Sequence, residues 1–95
     1  MPAVTYFGAK DVFHCSLPER NQASSNVFVN GIGVSREGDV NTLHKKPPRP
    51  CKKHAKGITT GSLTVKINGK GCGRVGDSIT ACTSVAQGSR SVFAG

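Results

Sequence analysis

The chain has 95 residues, 13 Lys and Arg against 5 Asp and Glu, a formal net charge of +8, 36% apolar content, no Trp and twelve glycines. So short and glycine-rich a chain makes one domain at most and buries a thin core, so it needs a disulfide, a metal or a partner to hold it together. It shows no long apolar run and no signal peptide, so nothing in it marks a membrane span or the general secretory route. Its four cysteines therefore argue for metal or free thiols over a disulfide framework.

In chain order, the first candidate ligands are His14 and Cys15. The segment SSNVFVNGIGVSREGDVNTLH, residues 24–44, follows. Its Val/Phe/Val strand runs into Asn30-Gly31, a strong hairpin-turn signal because both residues tolerate positive φ, and a second short strand carries Arg36. Gly38-Asp39 turns the chain again, and His44 comes five residues after the aspartate. Residues 44–56, HKKPPRPCKKHAK, form a basic loop whose three prolines keep it extended. Within it Cys51 and His54 have C-x-x-H spacing.

SLTVKINGKGCGRVGDSITAC, residues 62–82, then repeats residues 24–44 without a gap. Val27 falls on Val65, Asn30-Gly31 on Asn68-Gly69, Arg36 on Arg74, Gly38-Asp39 on Gly76-Asp77, and His44 on Cys82. The last pairing exchanges one zinc-ligand type for another, which a purely structural repeat has no reason to do. A partial third copy, GSRSVFAG at 88–95, matches GSLTVKIN at 61–68. Gly71-Cys72-Gly73-Arg74-Val75-Gly76 formally fits a dinucleotide-binding loop, but no helical periodicity follows it, and Gly69-Lys70 lacks the Ser or Thr of a phosphate loop. Gly31, Gly33, Gly69 and Gly71 are expected at tight turns. Arg36 with Asp39, and Arg74 with Asp77, are expected to fix the turns that aim His44 and Cys82.

His14, His44, His54 and Cys82 supply four nitrogen or sulfur ligands for a closed zinc site, with Cys51–His54 as a rival clip. Solvated loop histidines remain the plain alternative. No nucleophile, base and orienting group can be placed together, so no enzymatic activity is expected.

The repeated V-x-[VI]-N-G and R-x-G-D pieces, with the terminal GSRSVFAG, resemble the PAAR-repeat family over roughly residues 24–95. These are the sharp caps on the central spike of phage tails and type VI secretion systems. The resemblance implies an all-β fold: a small cone of short β-hairpins and turns whose apex is pinned by one zinc through three histidines and one cysteine. The single domain would be 1–95, with repeats at about 24–44 and 62–82 and a partial one at 88–95. His44 and Cys82 match the ligands after the two Gly-Asp turns, and His54 matches the histidine of the intervening loop. His14 is the remaining match, after a degenerate first turn at Gly8 to Asp11; Asp11 stands three residues before His14, whereas Asp39 and Asp77 stand five before their ligands. Cys51 is the reserve ligand, and iron is the second choice of metal.

The implied function is a structural, membrane-piercing tip, one copy per trimeric β-helical spike. Three strand segments, at 26–30, 64–68 and 91–94, are expected to meet the three open edges of the spike by β-augmentation. The docking residues would be Val27, Phe28, Val29, Val65, Lys66, Ile67, Val92 and Phe93. From its charge, the basic loop either touches the anionic phosphates of the target envelope or is a solvated loop that its prolines keep extended. The alternative is a small basic zinc-binding module acting on nucleic acid or anionic surfaces. The compact length favours the tip of a phage tail in the virion; the alternative location is the bacterial cytoplasm, followed by type VI export. No toxin domain is expected after Gly95, and no small-molecule substrate.

Overall fold

The computed structural model describes residues 1–13, 16–46 and 52–95. Among them there is no helix, and the named strands form three two-stranded antiparallel hairpins. β1 (Phe28–Val29) pairs with β2 (Ile32–Gly33), β3 (His44–Lys46) with β4 (Lys52–His54), and β5 (Lys66–Ile67) with β6 (Lys70–Gly71). The body is elongated with a nearly round cross-section, 38 × 23 × 22 Å. No helix is long and apolar enough to cross a membrane.

Asn30 and Gly31 have φ of 50° and 81°, and Asn68 and Gly69 have 55° and 79°. These positive pairs suit the turn that matches the right-handed twist of the two flanking strands. Gly33 and Gly71 are strand residues instead of turn residues. Each is glycine because a Cβ would lie 2.5 Å from the Ser24 carbonyl oxygen, or 2.8 Å from that of Ser62.

Backbone hydrogen bonds show three equivalent sectors. Gly8, Gly38 and Gly76 donate to the carbonyls of Arg20, Ile58 and Val85, at 2.9, 2.9 and 2.8 Å. Ala9, Asp39 and Asp77 donate to the carbonyls three residues back, on Tyr6, Arg36 and Arg74. Thr5 donates to Gly73, Gly73 to Ser35, and Ser35 back to Thr5, which closes a ring around a central axis. The third sector is thus built from both ends of the chain. Residues 88–95 supply its first part and residues 2–11 its second, joined by an Ala3–Phe93 bridge and by Ala94 N–H to the Pro2 carbonyl.

The sectors interlock through serines. Ser24 Oγ bonds Asn68 Oδ1 and Ser89 Oγ bonds Asn30 Oδ1, each at 2.6 Å, and Ser62 Oγ bonds the Gly95 carbonyl. Equivalent residues also build the core. Its lower part is Val4, Val34 and Cys72 with Val29 and Ala94, against which Ile67, Val27 and Tyr6 pack. Its upper part is Ile58, Ile79 and Val85, with Cys82 against them. Cys72 occupies the place of two valines and acts as a small apolar side chain; burial pushes its thiol pKa up.

Candidate metal centre

Above the last core layer each sector sends out a loop. Their bases are closed by hydrogen bonds from Asp11 to Pro18, Asn41 to Lys56 and Ile79 to Thr83. The second loop is the longest and forms the β3–β4 hairpin, in which His44 stands directly opposite His54. Both side chains are buried, and their rings meet edge to face with centroids 4.4 Å apart. The third loop is a tight turn closed by Cys82 N–H to the Ile79 carbonyl, with Ala81 at φ 50°. A positive φ on alanine is strained, and it sits one residue before Cys82.

Two hairpin residues and one turn residue so converge. His44 Nε2 is 2.9 Å from His54 Nε2 and 3.2 Å from Cys82 Sγ. One ligand atom from each of the three residues lies within 4.8 Å of the others. His44 Nδ1 is 2.7 Å from the Thr42 carbonyl, an acceptor only, so Nδ1 carries the proton and Nε2 presents its lone pair to the cluster. The donor set fits a metal ion. Tetrahedral zinc has nitrogen–nitrogen and nitrogen–sulfur edges of about 3.3 to 3.6 Å, and a spreading of about half an ångström reaches them. Burial pushes the Cys82 thiol up, partly offset by a hydrogen bond from Asn41; a cation between the ligands reverses that balance and favours the thiolate.

Of the four ligands expected from sequence, three come together, and His14 lies outside the described residues, as do Cys15 and Cys51. The structure also corrects the alignment of the first turn. Gly8, not Asp11, marks it, with φ 84° against 85° at Gly38 and 91° at Gly76. Asp11 is equivalent to Asn41 and Ile79 instead of to Asp39 and Asp77. Counted from the true turn, His14 follows Gly8 at the same separation as His44 follows Gly38 and Cys82 follows Gly76.

The Arg–Asp pairs lock their turns as expected. Asp39 takes the Arg36 backbone N–H at 2.8 Å and its guanidinium at 2.8 and 3.0 Å. Asp77 does the same for Arg74, at 2.8, 3.3 and 2.9 Å. Sequence reasoning missed three polar residues beneath the ligands, Asp11, Arg20 and Asn41, all almost fully buried. Arg20 Nη2 is 2.9 Å from Asp11 Oδ2, and Asn41 Nδ2 is 3.0 Å from the same oxygen. Burial pushes the Asp11 carboxyl up against the pull of Arg20 and Asn41. A lone arginine in a basic chain carries no sign that it is buried.

The residues expected to dock divide by exposure. Phe28, Val65, Lys66, Val92 and Phe93 are exposed, Val27 and Ile67 are half-buried, and Val29 is in the core. Val27, Val65 and Val92 occupy equivalent places, each with its N–H bonded to its sector's serine, Ser24, Ser62 or Ser89.

This three-sector body with its His/Cys cluster agrees with the family match: the chain belongs to the PAAR motif family, whose model matches residues 20–80. The family is structural and not known as enzymatic, and membership supports a role of the spike-tip type. Among curated proteins none matches the chain.

Proposed function

We propose that this protein is the membrane-piercing tip of a contractile machine, capping a trimeric β-helical spike with one copy per trimer. The observation that carries this reading is the closed hydrogen-bond ring of Thr5, Ser35 and Gly73. One chain with three equivalent sectors can offer a similar surface to each of three identical subunits, which a chain without internal repetition cannot. Val27, Val65 and Val92, with Phe28, Lys66 and Phe93 beside them, are the repeated docking surface, and Val29 and Ile67 would take part through their backbone. We further propose that all of residues 1–95 act as one unit.

At the other end the reading calls for one structural zinc, held by His14, His44, His54 and Cys82. The first and third loops would give one ligand each and the long second loop two. A narrow tip has no room for an apolar core, so its stiffness must come from a cross-link. Zinc in small sites contributes on the order of 10 kcal/mol of folding free energy, enough to hold three loops under load. Four protein ligands leave no open position for a reactive water, so the metal is structural. Phage tail and type VI secretion spike are equally compatible with this geometry.

The test is metal content by elemental mass spectrometry together with native mass spectrometry of the mixture with a trimeric β-helical spike. One zinc per chain, lost in His44→Ala, Cys82→Ala and His14→Ala but kept in Cys51→Ala, with a complex of one chain per trimer, is the expected result. A metal that survives loss of Cys82, or salt-dependent nucleic-acid binding with no affinity for the spike, sinks the proposal.

A further inference from the structure

Six side chains fill the space directly below the ligands, two from each sector. By their backbone hydrogen bonds Asp11, Asn41 and Ile79 are equivalent, and so are Arg20, Ile58 and Val85. One sector therefore places Ile79 and Val85 where another places Asp11 and Arg20. Replacing a buried ion pair by apolar residues is commonly neutral or stabilising, and the other sectors show that Ile and Val suit these backbone positions. The pair is not optimised for stability either, since Asp11 Oδ1 and Arg20 Nε make no hydrogen bond among the described residues.

The pair has a consequence one residue further up. Asp11 Oδ2 accepts from both Arg20 and Asn41, while Asn41 Oδ1 accepts the Lys56 backbone N–H at 2.9 Å. These two contacts fix which end of the amide is nitrogen. The same Nδ2 lies 3.8 Å from Cys82 Sγ. Arg20 is itself held by Nη1 to the Asp39 carbonyl at 3.0 Å.

We propose that Asn41 is a positioning residue for the metal centre: anchored by the Asp11–Arg20 pair, its amide donates an N–H···S hydrogen bond to Cys82 that orients the sulfur and tunes its bond to the metal. This rests on the metal reading of the same site. Partners one step behind a metal ligand commonly matter about 10- to 100-fold in affinity. The bond also withdraws electron density from the thiolate, which a structural role alone would not do.

Cobalt(II) in place of zinc reports both effects. Its d–d absorption shows whether a folded four-coordinate site assembles, and its sulfur-to-cobalt charge-transfer band reports electron density on the thiolate. The variants are Asn41→Leu and the triple Asp11→Ile/Arg20→Val/Asn41→Ile, which copies the one sector that is apolar at both places, Ile79 with Val85. Both are expected to keep the four-coordinate d–d envelope, to move the charge-transfer band to longer wavelength and to bind cobalt roughly 10- to 100-fold more weakly. Compared without metal, the triple variant should be no less stable than wild type. Asn41→Leu with an unmoved band and affinity within about twofold of wild type would overturn the proposal. So would a triple variant that does not fold, because the network would then be needed for packing. Wild-type protein that takes up no cobalt would instead remove the metal reading itself.

Discussion

Asp77 and Asp39 do more for the fold than the arginines they pair with. Each carboxylate accepts a backbone N–H, from Arg74 or Arg36, in addition to the guanidinium of the same residue. Losing the carboxylate orphans that N–H, and leaving a buried donor unsatisfied costs about 1 to 3 kcal/mol. Losing the guanidinium removes only a partly exposed ion pair, worth about 1 kcal/mol or less. Asp77→Ala should therefore lower stability by about 2 kcal/mol and Arg74→Ala by well under half of that, measured by denaturant unfolding of the metal-loaded protein. Arg36→Ala should cost more than Arg74→Ala, because Arg36 Nη1 also reaches Asn68 Oδ1 in the neighbouring sector at 3.2 Å. Equal effects of Asp77→Ala and Arg74→Ala would mean that the ion pair, and not the backbone bond, fixes the turn.

Among the hairpins, β3–β4 differs from the other two in what holds it. β1–β2 and β5–β6 each have an Asn-Gly turn suited to a tight connection and lie against the lower core. The register of β3–β4 sets Lys45 opposite Lys53 and Lys46 opposite Lys52, and neither strand contributes to the two core clusters. What favours this pairing is the His44–His54 contact at its base. Chelation should therefore release this hairpin first: amide exchange of residues 44–46 and 52–54 should accelerate at least ~100-fold, corresponding to ~2.7 kcal/mol of local stability, while 28–33 and 66–71 stay protected. Uniform deprotection along the chain would contradict the account. Sequence made the β1–β2 and β5–β6 hairpins legible, because Asn-Gly and Gly-Asp recur in phase between residues 24–44 and 62–82. It also made His44, His54 and Cys82 legible as candidate ligands, and the structure brings these three together. The second half of the third sector was hidden, since Tyr6 and Ala9 stand where the other sectors have Arg and Asp, and of the turn's residue types only the glycine, Gly8, is shared. The network of Asp11, Arg20 and Asn41 left no signal, because burial of a charge depends on contacts between segments far apart in the chain.

The body is a ring of three sectors, and in the third of them residues 1–3 adjoin residues 93–95. Val4, Val34 and Cys72 are equivalent, as are Val29, Ile67 and Ala94. Counting along each strand, Gly95 falls where Asn30 and Asn68 stand, and Met1 falls where Gly31 and Gly69 stand. Residues 95 and 1 therefore hold, in the third sector, the two places of the Asn-Gly turn. The serine that would grip an asparagine there, Ser62, grips the Gly95 carbonyl. If the sectors are physically interchangeable, residues 95 and 1 can be joined and the chain opened in another sector. A circular permutant that joins residue 95 directly to residue 1, with Gly95→Asn and Met1→Gly to restore the turn, and that opens between Asn68 and Gly69, should reproduce the native arrangement one sector further on. Every bond of the Thr5, Ser35 and Gly73 ring is kept in it, and so are the three apical loops. It should fold with the same metal content and melt within about 5 °C of the parent, which for a domain of this size corresponds to about 1 kcal/mol. A permutant that folds and keeps its metal but no longer binds the spike would place the docking requirement on the opened sector itself. One that does not fold would show that the third sector, built from both ends, is not equivalent to the other two.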